Sequence, residues 1–181
     1  KWEKNFLNIN GEKFSGKTHL VNIFLKKFNG IRIDVNSLND ENLKSIKPYQ
    51  NIVLEDLNLN INEKLIYSLF NIIDQDNKFL IITSTKPISE INFQLDDLRS
   101  RTKNCLFANI QNPDDELMFA LILKNLSDRQ ITLDKKLIDF IIKRIERSYG
   151  KIFEFIYKID KISLKKKKSI DFKIINEALE E

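Results

Sequence analysis

The chain has 181 residues, 42% of them hydrophobic, enough for one sizeable domain or a medium domain with a small companion. Thirty basic against 26 acidic residues give a formal charge of +4, too small an excess for a dedicated nucleic-acid binder. A single cysteine, Cys105, forbids an intrachain disulfide and suits a reducing cytoplasm, and neither a membrane-length apolar run nor a signal peptide is visible.

The first strand is expected at 6–9, followed at once by Gly11-Glu12-Lys13-Phe14-Ser15-Gly16-Lys17-Thr18, a complete G-x-x-x-x-G-K-[ST] loop. It uses two of the four glycines in the chain, and a helical segment at 17–28 follows it. Strand, glycine loop and helix in that order make a phosphate site. The glycines permit a tight turn of inward amides, the helix start adds positive potential, and Lys17 supplies a mobile charge. Thr18 is placed to offer its hydroxyl to Mg²⁺, and the bound group is a nucleoside phosphate. The chain begins at Lys1, a few residues before this strand, so upstream sequence is expected.

Further strands are expected at 31–35, 52–55, 79–83 and 105–109, with helices at 40–46, 62–75 and 95–101. Short apolar strands alternating with helices imply crossover connections and a parallel sheet covered on both faces. The run Asn51-Ile52-Val53-Leu54 leads into Glu55 and Asp56. Glu55 is expected to orient Mg²⁺ through its water shell, and Asp56 to polarise the attacking water. Their order is the reverse of the usual Asp-Glu, which argues for nucleotide binding without fast hydrolysis. The strand at 79–83 ends in Thr83-Ser84-Thr85. Inserted between the loop strand and the acidic strand, it would aim Thr83 or Thr85 at the γ-phosphate and lytic water; the alternative is that these hydroxyl residues only form the turn at the strand end. Arg99 and Arg101 follow on the next helix, as a finger for a neighbouring nucleotide or as partners of Asp96 and Asp97 on the same helix.

From residue 114 onward helical periodicity dominates, with helices expected at 114–126, 133–147, 149–164 and 171–179. Asn112-Pro113-Asp114-Asp115-Glu116 is a strong helix start; Thr132 and Ser169-Ile170-Asp171 mark later ones. The boundary falls near residues 110–113, dividing an α/β domain (1–112) from a helical lid (113–181). His19, in the first turn after the loop, is a candidate phosphate contact, with packing or solvent exposure as the plainer alternative. Lys165 to Lys168 read as an exposed turn, so direct DNA binding is expected to be weak or absent. Trp2 and Phe6 are candidates to border a base, Phe6 more as core.

Taken together these residues resemble an AAA+ P-loop ATPase of the DnaA branch, and within it the Hda/HdaA regulators. The resemblance runs from Asn5-Phe6-Leu7-Asn8-Ile9 and Gly16-Lys17-Thr18-His19-Leu20 (Walker A) through Glu55-Asp56 (Walker B) to Thr83-Ser84-Thr85-Lys86-Pro87 (sensor 1). It continues through Leu95-Asp96-Asp97-Leu98-Arg99-Ser100-Arg101 into the helical end. It implies a three-layer α/β fold with an all-α lid, binding of ADP or ATP with Mg²⁺ by residues 11–19, and Arg101 as an arginine finger acting in trans. The implied partners are the replication initiator DnaA, whose ATP hydrolysis such regulators stimulate, and the DNA-loaded sliding clamp; homo-oligomers are also compatible. The clamp-binding peptide and the segment walling the adenine are not in this sequence. The sensor 2 position falls near Gly150-Lys151, passing that role to Lys151 or Arg147, four residues apart and expected on one helix face. No helix-turn-helix segment follows, which favours a regulator over an initiator. The alternatives are a self-sufficient ATPase such as a helicase loader or initiator fragment, and a small-molecule kinase, which lacks an evident acceptor pocket.

Overall fold

The computed structural model describes residues 4–58 and 62–180. Its contacts divide into two compact units: one holds the segment ending at Gly11 together with Ser15–Ile110, the other holds Glu12–Phe14 with the chain from Gln111 onward.

In the first unit the elements run β1 (Phe6–Gly11), α1 (Lys17–Lys27), β2 (Gly30–Asp34), α2 (Asp40–Ser45), β3 (Asn51–Leu57), α3 (Glu63–Gln75), β4 (Phe79–Ser84), α4 (Asp96–Lys103) and β5 (Leu106–Ile110). All pairings are parallel and the order is β2-β3-β4-β1-β5, so β4 does lie between the loop strand and the acidic strand. Parallel neighbours require a crossover, and each helix supplies one. Alternation along the strands sends Ile52, Leu54, Leu80 and Ile82 into one core, where Leu43 of α2, Leu98 of α4 and Ile66, Leu69, Phe70 and Ile73 of α3 meet them. Val53 and Ile81 point the other way, onto Val21 of α1. The α3 residues recur at helical spacing, and each is fully buried, contributing about 1.5–3 kcal/mol. The result is the three-layer α/β arrangement read from the sequence.

Two local features keep this sheet in register. At Gly30 a Cβ would lie 2.5 Å from the Asn51 carbonyl oxygen, so β2 can begin this close to β3 only with glycine. Asn8, inside the apolar run of β1, is fully buried; it donates to the Ile82 carbonyl (3.0 Å) and Ser84 Oγ (2.8 Å) and accepts the Ile88 amide (3.0 Å). A buried amide with all these bonds made fixes where β4 stops.

The second unit contains α5 (Asp115–Ser127), α6 (Lys135–Ile142), α7 (Tyr149–Lys166) and α8 (Phe172–Glu180) around a core of Met118, Ile122, Ile138, Ile141, Ile156 and Ile159 with their neighbours. Asp114 caps α5 by accepting the Leu117 amide at 2.8 Å. The helix expected at 133–147 is much shorter. Lys143 ends it, and Ser148 sits in extended conformation (φ −144°, ψ 136°) to cap α7 through the Lys151 amide. Periodicity carried on past 142 because Ile145 still packs on the core from a non-helical segment. Among Ser169, Ile170 and Asp171, the residue that caps α8 is Asp171, which accepts the Lys173 and Ile174 amides.

Candidate phosphate-binding site

β1 delivers the chain to Gly11 and α1 picks it up at Lys17. Gly16, at the start of α1, has φ +89°, a left-handed conformation suited to glycine. No side chain caps α1 at this position and its first turn carries no acid, so the helix start presents its amides and its positive end undiluted. Lys17 is buried, and its ammonium donates to the Gly11 carbonyl at 2.8 Å, drawing the two ends of the loop together. Ser15 Oγ is enclosed without a hydrogen-bond partner. Thr18 and His19 are exposed in the first turn. A donor-rich turn with a buried ammonium and an unsatisfied hydroxyl fits a polyphosphate.

Glu55 and Asp56 sit in β3 but in unlike environments. Glu55 is 8% exposed and, two residues from Val53, falls on the α1 face. Its Oε2 lies 3.2 Å from Arg32 Nε, whereas Oε1 has no hydrogen-bond partner. Asp56 is exposed and left-handed (φ +58°), where the β3–β4 pairing is interrupted between Leu54 and Leu57. Among the described residues no group of three or more His, Cys, Asp or Glu could hold a metal ion.

The two sensor candidates separate. Thr83 is 1% exposed, and its hydroxyl accepts the Asp56 amide at 2.9 Å. Thr85 is exposed past the end of β4, lining a groove of about 590 Å³ with Leu57, Asn58, Lys86 and Glu90. On α4 both arginines make the intrahelical pairs that their spacing allowed: Arg99 with Asp96, and Arg101 Nε with Asp97 at 2.7 Å. Arg101 also reaches α3, bonding Asp74 at 2.8 Å and covering the Tyr67 ring. Burial pushes the Asp74 carboxyl above its ordinary range, and the Arg101 guanidinium opposes that shift.

Within the second unit, Glu12 is the anchor that sequence reasoning missed. Its carboxylate accepts Ser148 Oγ, the Tyr149 amide (3.0 Å) and the Gly150 amide (3.2 Å), so it sits on the positive start of α7. Phe14 (φ +69°) stacks on Phe153 with ring centres 4.8 Å apart. Lys13 lies over the Phe14 ring. No local pattern could have signalled these contacts, because Glu12 and Ser148 are 136 positions apart. The expectation that Arg147 and Lys151 share a helix face is corrected: Arg147 precedes the Ser148 cap and pairs with Asp115 (2.9 Å), while Lys151 lies in the first turn of α7 and pairs with Glu154 (3.1 Å). Lys165 to Lys168 are exposed, and Lys166 pairs with Glu177. Phe6 packs against Phe70 as core, whereas Trp2 lies outside the described residues. No described helix is long and apolar enough to cross a membrane.

No protein-family model matches the chain. It is 28% identical over 167 residues to the chromosomal replication initiator protein DnaA of Corynebacterium aurimucosum, covering 80% of this chain and 31% of that protein. It is 26% identical over 200 residues to DnaA of Thermoanaerobacter sp., covering 98% and 45%. The chain thus spans less than half of these initiators. An uncharacterized protein of Haemophilus influenzae is 26% identical over 187 residues, with 96% of this chain and 81% of that protein covered. Among solved structures, domain III of Thermotoga maritima DnaA superposes with a TM-score of 0.76 over 98% of this chain and 84% of that one, at 20% identity. A DnaA bound to AMPPCP and single-stranded DNA superposes with a TM-score of 0.68 over 90% of this chain and 58% of that one, at 20% identity. In sequence the chain is similar to DnaA-type replication initiators, and in fold it matches the α/β P-loop domain III of one of them.

Proposed function

We propose that this chain is a DnaA-related AAA+ nucleotide-binding module that regulates replication initiation in the cytoplasm, with little hydrolysis of its own. The observation that carries the reading is the loop from Gly11 to Thr18, with a left-handed Gly16, an uncapped helix start and a buried Lys17 bridging its ends. In this reading the loop amides and Lys17 hold the phosphates of ADP or ATP. Thr18 and Glu55 sit beside the metal, which when bound neutralises phosphate charge. Asp56 and Thr85 stand at the strand ends where a lytic water would lie, and Arg147 and Lys151 are the candidate sensor 2 cations of a lid formed by residues 113–181. Weak hydrolysis follows from the reversed acids and from the Arg32 pair on Glu55. Arg101 acts in trans on the nucleotide of the initiator DnaA, with the sliding clamp as the platform. The DnaA structure bound to AMPPCP supports the ligand class.

Calorimetric titration with ADP tests the site. Saturable binding that disappears in Lys17→Ala is expected; no binding to the wild type would refute it. Stimulation of DnaA's ATPase on loaded clamps, lost in Arg101→Ala, tests the regulatory role.

A further inference from the structure

Arg32 stands on β2 opposite Val53 of β3, which places it on the α1 face, where it hydrogen-bonds the Asn22 side chain of α1. From there its Nε contacts Glu55 Oε2 at 3.2 Å. Glu55 is nearly enclosed, and an enclosed carboxylate requires a compensating charge. A guanidinium never gives up its proton in this setting, so the compensation is permanent. We propose that Arg32 is a counter-cation built into the nucleotide site, supplying to Glu55 the charge that a divalent metal would otherwise supply. This rests on the nucleotide reading of the loop and adds to it: with Glu55 already neutralised, a metal gains little there, and ADP binds nearly as well without one.

The test is ADP affinity measured by calorimetry in Mg²⁺ and in EDTA, for the wild type, Arg32→Ala and Arg32→Gln, with thermal melts to confirm folding. The wild type is expected to differ by less than about threefold between the two conditions, and both variants to bind about tenfold more weakly in EDTA than in Mg²⁺, the scale of one charge pair at a partly exposed site. Arg32→Gln keeps the length of the side chain and serves if Arg32→Ala does not fold. Arg32→Lys, which retains the charge, is expected to follow the wild type. A wild type as dependent on Mg²⁺ as the Arg32→Gln variant would overturn the proposal while leaving the nucleotide site intact. Absence of ADP binding by the wild type under both conditions would overturn the site itself and this inference with it.

Discussion

The hydroxyl of Thr83 accepts the backbone amide of Asp56 at 2.9 Å, so the end of β4 holds the left-handed turn that carries the second acid. A residue expected to face a phosphate is thereby engaged in shaping the neighbouring strand. Thr83→Val keeps the shape and removes the acceptor, leaving a partly buried amide unpaired. A loss of about 1–3 kcal/mol in urea unfolding is expected, with Thr83→Ser close to wild type. Equal stability of all three proteins would show that the bond does not hold the turn.

Arg101 is held by Asp97 and Asp74, and a finger that acts on another chain must leave both. Asp97→Asn is therefore expected to raise stimulation of the initiator's ATPase, and Arg101→Ala to abolish it, with ADP binding unchanged in each. Because these ion pairs are partly exposed, Arg101→Ala should cost about 1 kcal/mol of stability or less. Indistinguishable stimulation by the three proteins would remove Arg101 from the finger role.

Burial raises the Cys105 thiol to about 12, with Lys4 acting in the opposite sense. The thiolate is the reactive form, so the native protein should label negligibly with a disulfide reagent at about pH 8. Labelling should become fast in denaturant. Rapid stoichiometric labelling of the folded chain would contradict the enclosed position of Cys105.

Asp171 is exposed, and its carboxyl is held below the ordinary range, chiefly by the Ile174 amide and further by the Lys173 amide. A lowered folded-state pKa stabilises the protein above the unfolded value and loses that effect as pH falls through the folded one. The stability gap between wild type and Asp171→Ala should be full at neutral pH and should shrink below about pH 4. A gap independent of pH would mean that the cap does not depend on the carboxylate charge.

Much of this molecule is legible along the chain. Among the described residues, the five strands and eight α-helices follow from local alternation and helical spacing, and the Gly11–Thr18 loop is legible because the motif is contiguous. Errors gathered where a local signal competed with a cap. The periodicity through Ile145 suggested a helix reaching 147, yet the extended cap at Ser148 breaks it and separates Arg147 from Lys151. Asn8 passed unnoticed in an apolar strand because nothing nearby reveals its partners at Ile82, Ser84 and Ile88.

By itself, then, the sequence determined the order of elements, the parallel sheet and the glycine loop between β1 and α1, since each depends on residues within a few positions of one another. Tertiary structure alone decided which charges are already paired: Glu55 with Arg32, Arg101 with Asp74, and Glu12 with the start of α7. A side chain's partner is set by which strands and helices become neighbours. Spacing along the chain carries no record of that once dozens of residues intervene.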